Sequence, residues 1–379
     1  MKVILSRKGF DQKHGGMPSP ILPDGTLLLL PPPCETGNLF YEDLFYQGQS
    51  YFDLLCSLRP KLSTTFKHAR TSINPDIQEG LYLTPPDWKP AYGQFGSSES
   101  HLSSRHVSVG DIFLFYGWFK QTKYNEAGGL TFVENAPDVH LIYSYLQIGS
   151  IITNKNYITK KYSWHANAHI ENTSKAHNTI YIPTKKLSYN NRQLGYGTLH
   201  YSKKLVLTKE GCSFSKWELP SFFRNTDVTI SYHNNITNGF IPGKDYFQAS
   251  PIGSEFVIHG TFDLKNWVHD LIRDQGLPNH FTASDHLLTE INHINYPDQN
   301  GKIYCRKRNK LVDIGTTSCM LCKGLRSMLN DNSIACCWMD ILPENENMFT
   351  VLNPAEEYHR VNWLIDKQLI PHNSELEQE

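Results

Sequence analysis

The chain has 379 residues, with 36 Lys and Arg against 37 Asp and Glu, 12% aromatic and only 19% charged residues. That length is enough for two or three folding units with a sizeable core. The aromatic content argues against wholesale disorder, and the near-zero net charge excludes a uniformly basic coat. No apolar run approaches the ~20 residues of a membrane span, and the opening MKVILSRKGF is too short in apolar residues for a signal peptide. The expectation is a soluble, cytoplasmic protein.

In chain order, Lys2 to Ser6 reads as a short strand, and Gly9 to Pro33 holds too many Gly and Pro residues for a helix. Within it, Pro23-Asp24-Gly25-Thr26 is a β-turn signal. One short helix is expected between Leu39 and Pro60. From Trp88 the pattern turns to β. Val109-Gly110-Asp111 leads into Ile112–Phe119, a β-branched and aromatic run of the kind found in buried strands, and Val139–Ile152 is a second long strand with Gly149 as a bulge. Further strands are expected at Asn178–Pro183, Lys204–Thr208, Val228–Tyr232 and Glu255–His259, and a helix at Trp267–Arg273. Short strands with irregular connections suggest a closed or nearly closed barrel in a β-rich α+β protein. The composition changes at about residue 295, becoming basic and cysteine-bearing and then acidic. The expected organisation is therefore residues 1–285 as one domain with its core at about 85–260, 295–345 as a small module, and 346–379 as an acidic tail.

The neutral total conceals a basic segment. Twelve cations between Ser150 and Arg224 face only Glu171, Glu210 and Glu218, a local net of +9 that fits a polyanion-facing surface. Lysines decorating the solvent face of strands explain the same count about as well. The densest polar loop, with Arg7, Lys8, Asp11, Lys13 and His14 amid glycines, can bring backbone N–H groups and a guanidinium to a phosphate; a structural Arg7–Asp11 pair is the plain alternative. His165 and His169, four residues apart, would share a metal only on a helix, and their surroundings read as loop. No NAD, FAD or ATP motif is present, because neither Gly-x-Gly-x-x-Gly after a strand nor Gly-x4-Gly-Lys-Ser/Thr occurs. A zinc deaminase signature is also missing. Cys305, Cys319, Cys322 and Cys336, with Cys337 as a substitute, have the spacing of a four-cysteine, zinc-ribbon-like site; a structural Zn would help so small a segment fold. A redox pair at Cys319 and Cys322 lacks its usual βαβ context.

The Gly110-Asp111 turn, the aromatic strand and the second strand ending Leu146-Gln147-Ile148-Gly149 resemble the PUA-like barrels, which include EVE, ASCH and YTH domains. That likeness implies a barrel mouth that takes a nucleobase, and an unstacked base needs aromatic walls and a few polar groups. Trp118, Tyr143, Trp164 and Tyr196 are candidate walls; the plain alternative for each is ordinary core. A longer likeness runs over about residues 1–260. Its blocks are Ser6-Arg7-Lys8-Gly9-Phe10-Asp11, Pro18-Ser19-Pro20-Ile21, Gly93-Gln94-Phe95-Gly96, Ser100-His101-Leu102, Gly110–Phe119, Asn178-Thr179-Ile180-Tyr181, Ser231-Tyr232-His233 and Glu255-Phe256-Val257. In this order they resemble the nucleotide modification associated domain family of the third type, described as proteins inferred to hypermodify DNA bases. Asn167-Ala168-His169 departs from the His-Pro-His-like element expected there.

The resemblance implies a DNA base hypermodification protein that binds or modifies a nucleobase. The alternatives are a non-catalytic PUA-like reader of modified bases and an RNA- or tRNA-directed activity. The partners implied are DNA carrying a modified base and other modification or restriction proteins, with no membrane. For catalysis the candidates are Arg7, Asp11 and His101, with His101 moving a proton. For nucleic-acid binding they are Trp118, Tyr143, Trp164, His169, Lys185 and Lys186.

Overall fold

The two strongest apolar runs become the two longest strands among the described residues. In the computed structural model, which describes residues 1–367 except 36, 47, 79, 86, 126–127, 171–176, 191–192, 234–238, 251–254, 261, 274–292, 306–307, 315–324, 329–332 and 337–348, they pair side by side. In chain order the main elements are β1 (Val3–Arg7), α1 (Tyr51–Leu58), β2 (Tyr92–Phe95), α2 (Gly96–Ser104), β3 (Ile112–Tyr124), β4 (Val139–Ile152), α3 (Lys155–Lys161), β5 (Asn178–Pro183), β6 (Thr229–Ile230), β7 (Glu255–His259) and α4 (Phe262–Arg273).

They belong to a ten-stranded mixed sheet ordered β6-β7-β1-β3-β4-β5-β2, with Ser19–Ile21 and Leu130–Phe132 added to β3 and Tyr196–Thr198 to β4. The first ten residues of β4 are buried without interruption, so it reads as a continuous apolar run rather than an alternating one. Gly149 is a bulge, as expected. The register to β5 slips between Ile148 and Ser150, and a Cβ at Gly149 would meet the Pro183 carbonyl oxygen at 2.7 Å. Lys204–Thr208 is not a regular strand. Lys203–Leu205 forms a 3-10 turn, and the Thr208 hydroxyl takes the His140 N–H that a ladder carbonyl would otherwise accept.

β1 runs parallel to β3 and antiparallel to β7, and its two faces enter different surroundings. One carries Ser6 beside Phe115, within a set of interlocked rings from Tyr92, Phe113, Phe115 and Tyr181. The other carries Arg7 beside Tyr116, where Trp217 and Phe256 pack. The helix α4 buries Leu264, Val268, Leu271 and Ile272 in the same core cluster. Although β2 and β7 are separated along the path by β1, β3, β4 and β5, side chains of β2 hydrogen-bond Glu255 of β7. The sheet must curl for this to happen. No backbone ladder joins β2 to β6 or β7 among the described residues.

The chain divides into two units, Met1–Leu44 with Ser50–Leu277, and Phe45–Gln49 with Pro278–Glu379. In the second, His293–Asn295, Leu325–Met328, Ile334–Cys336 and Phe349–Val351 make a four-stranded sheet, and Lys302–Cys305 pairs with Lys310–Asp313 as a hairpin. α5 (Pro354–Asp366) starts at Asn353, whose side chain accepts the Glu356 N–H. The hairpin is tied to that helix through Tyr304, Asn309 and Asn362. Among the described residues no helix is long and apolar enough to cross a membrane.

Candidate functional site

Where the curled sheet brings β2 back to β7, one carboxylate collects the polar groups. Oε1 of Glu255 accepts from Ser6 Oγ (3.0 Å), Lys8 Nζ (3.1 Å), Tyr92 OH (2.9 Å) and Gln94 Nε2 (2.6 Å). Strand alternation explains the convergence. Ser6 and Lys8 leave β1 on the inner side, and Tyr92 and Gln94 leave β2 toward it. The Lys8 ammonium also lies 4.6 Å from the centre of the Tyr92 ring. Burial, and then the negative charge of Glu255, push the Tyr92 phenol well above its ordinary range, so it stays a donor. A second carboxylate lies one ring further in. Glu99 accepts from Tyr181 OH at 2.8 Å and Ser103 Oγ at 3.0 Å, burial raises its pKa, and the Tyr92 and Tyr181 rings stack at 5.9 Å.

β2 is held in place from outside. Asn74 accepts the Gly93 N–H and donates to the Gly93 carbonyl, imitating a neighbouring strand. Asn167 donates to the Gln94 carbonyl and exchanges hydrogen bonds with Asn178. A Cβ at Gly93 would sit 2.1 Å from Asn167 Oδ1 and 2.5 Å from His165 Cε1, so only glycine fits.

His101 of α2 reaches the same region. Its Nε2 lies 3.0 Å from Ser231 Oγ, and Ser231 Oγ accepts the N–H of Val257. Burial and then nearby Arg105 lower the His101 pKa, with Glu255 pulling the other way, so the ring is neutral at pH 7. Its face stacks on Tyr232 at 4.2 Å.

A family model described as nucleotide modification associated domain 3 matches residues 2–259. The chain belongs to that family. No curated protein and no solved structure matches it. The matched region ends with β7, the strand that supplies Glu255, and nucleotide modification is the role the family implies.

The other sequence candidates fall in several places within this domain. Arg7 lies on the opposite face of β1 from Glu255, near Tyr116 and His140; burial raises the Tyr116 pKa with Arg7 pulling against it, and burial and then Arg7 lower that of His140. Asp11 does not pair with Arg7. It closes a turn by accepting the N–H groups of Lys13 and His14, and these bonds, with the His14 ring, outweigh the effect of burial and lower its pKa. Trp118 is half-buried and stacks on Phe214. Tyr143 is 4% exposed and, with Asn74, Leu29 and Ile77, lines a cavity of about 40 Å³, enough for water rather than a base. Trp164 is 9% exposed and packs on Tyr162. His165 and His169 do not lie on an α-helix; His165 accepts the Asn167 N–H at the start of a 3-10 turn, and His169 bonds the Ser163 carbonyl. Lys185 and Lys186 are exposed just beyond β5.

In the second unit, Cys305 and Cys336 pack against one small cluster of Ile303, Val312 and Ile334, and Cys336 Sγ accepts from Asn295. Cys319, Cys322 and Cys337 lie outside the described residues. Among the described residues no group of three or more His, Cys, Asp or Glu could hold a metal ion.

Of the three catalytic candidates, only His101 is at the Glu255 cluster. Lys8 stood out only as part of the polar loop; Ser6, Gln94, Ser231 and Glu255 were present in the family-like blocks, but nothing local set them apart as a site, and Tyr92 immediately precedes such a block.

Proposed function

We propose that this domain acts on a nucleobase in DNA, with the Glu255 cluster as the reaction centre and His101 as the group that moves a proton. One observation carries the proposal. Blocks separated by as many as 249 positions, Ser6 to Glu255, place their polar side chains on one carboxylate. A carboxylate and a side-chain amide are the groups that read the edge of an extruded base, and a neutral imidazole is suited to accept a proton near pH 7. Arg7, Lys185, Lys186 and His169 would then contact the nucleic acid away from the centre, with the curled sheet as a PUA-like barrel.

Nucleoside mass spectrometry tests this directly. Plain and hypermodified DNA are incubated with the full chain and a cell-derived small-molecule extract. A new nucleoside mass that disappears with Glu255→Gln is expected. Binding without any mass change supports the reader instead, as the four protein donors already crowding Glu255 Oε1 would favour. Preferential competition by tRNA would move the substrate from DNA to RNA.

The small unit, in the same proposal, binds one structural zinc through Cys305, Cys319, Cys322 and Cys336. The shared packing of Cys305 and Cys336 supports this, and thiolates are suited to zinc. About one zinc per chain, lost in Cys319→Ser, is the expected result; a folded unit without metal refutes it.

A further inference from the structure

The aromatic side chain best placed to meet a base is Tyr232, which was not among the candidate walls. Tyr143 and Trp164 are 4% and 9% exposed and offer almost no free ring surface, whereas Tyr232 is 41% exposed. Its backbone is unusual as well. Tyr232 has φ +65°, a left-handed conformation that a large side chain adopts only under strain.

Both neighbours pin that conformation. Ser231 donates its N–H to the Val257 carbonyl and accepts the Val257 N–H on its hydroxyl, and the same hydroxyl meets His101 Nε2. His233 bonds the Ser231 carbonyl through Nδ1 and accepts the Ser250 N–H at Nε2. A glycine or asparagine would occupy such a turn with less strain, yet the position carries a phenol ring. That ring is braced from behind by His101, stacked at 4.2 Å and 27°, and edge-on by Phe256 at 6.3 Å. Arg105, exposed at the end of α2, is close enough for its charge to act on both His101 and Tyr232, and Glu255 acts on them with the opposite sign. A braced ring, an adjacent exposed cation and a buried set of hydrogen-bonding groups are the three parts needed to hold a nucleotide by its base face, its phosphate and its base edge.

We infer that the open face of Tyr232 is the platform on which an unpaired DNA base stacks, with Arg105 beside its phosphate, before the base edge meets the Glu255 cluster. This rests on the proposed action on a nucleobase and adds to it the residue on which the extruded base stacks.

The test uses the full chain and two otherwise identical labelled duplexes, one fully paired and one with a single unpaired 2-aminopurine. The wild type is expected to bind the bulged duplex more tightly and to quench the 2-aminopurine. Tyr232→Ala should lose about 5- to 150-fold in affinity for the bulged duplex, the range of one base–aromatic stack. It should also abolish the quenching and leave binding to the paired duplex unchanged. Tyr232→Phe should behave as wild type. Tyr232→Leu, which keeps bulk without a π-face, replaces the alanine variant if that variant fails to fold. A wild-type preference and quenching that survive both Ala and Leu overturn the platform and leave the proposed function standing. A wild type that binds neither duplex overturns both.

Discussion

Replacing Glu255 by alanine is the most informative single perturbation of this domain. It removes the acceptor of four donors at once, Ser6, Lys8, Tyr92 and Gln94. Breaking a buried ion pair costs about 3–5 kcal/mol. Here the Lys8 side chain is 12% exposed and can turn partly to water, so the lower end applies. Ser6 and Tyr92 are fully buried with their hydroxyls 3.3 Å apart, so one can donate to the other and the single orphaned donor adds about 1 kcal/mol or more. Glu255→Ala should therefore destabilise the domain by about 4–5 kcal/mol. Glu255→Gln keeps an oxygen in place and loses mainly the pairing with Lys8, for about 1–2 kcal/mol. Urea unfolding of the full chain, followed by tryptophan fluorescence, measures both. The double-mutant cycle with Lys8→Met should give a coupling of at least about 1 kcal/mol. A loss below about 1 kcal/mol in Glu255→Ala, or no coupling to Lys8, would refute the idea that this carboxylate organises the closing of the sheet.

Three further expectations concern the surrounding structure. Gly93→Ala would push a methyl into Asn167 and His165, and should cost about 1–3 kcal/mol and lower the melting temperature even though alanine favours ordered backbone. Burial, and then Arg7, press the His140 pKa from 6.5 down to about 3. The unfolded chain therefore binds a proton that the folded chain refuses, and stability drops as pH falls from about 6.5 toward 3; His140→Gln should flatten that slope in melts between pH 6 and pH 4. Asp76 has the opposite sign, because burial raises its pKa from 3.8 to about 7 while Tyr82 donates to it. The stability it contributes is fully present below about pH 4 and is lost as pH rises through 7. Asp76→Asn should match wild type near pH 4 and exceed it by about 1–3 kcal/mol at pH 8; equal melting curves at pH 8 would contradict this.

Much of the architecture was legible in local pattern. Val139–Ile152, Asn178–Pro183 and Glu255–His259 are strands with the expected ends, because β-branched and aromatic runs bounded by breakers have few other ways to bury themselves. Gly149 was recognisable because a glycine inside such a run marks a bulge. Lys204–Thr208 was misread because Thr208 supplies a side-chain hydroxyl where a strand would supply backbone, which composition does not reveal.

The candidate site was harder to read. The Arg7, Asp11 and His14 cluster resembles a phosphate loop in sequence, yet Asp11 spends its hydrogen bonds closing its own turn and Arg7 faces away from Glu255.

By itself, then, the amino-acid sequence determined the long strands, the bulge, the ordered family blocks and the family they belong to, because each of these depends on residues close together along the chain. Only the tertiary structure decided which polar residues meet. Ser6, Arg7 and Lys8 alternate across β1, and nothing in their identity says which face β2 will cover. That choice is made by the curl of the sheet, which carries Tyr92 and Gln94 past four intervening strands to Glu255 and makes an ordinary-looking glutamate the centre of the domain.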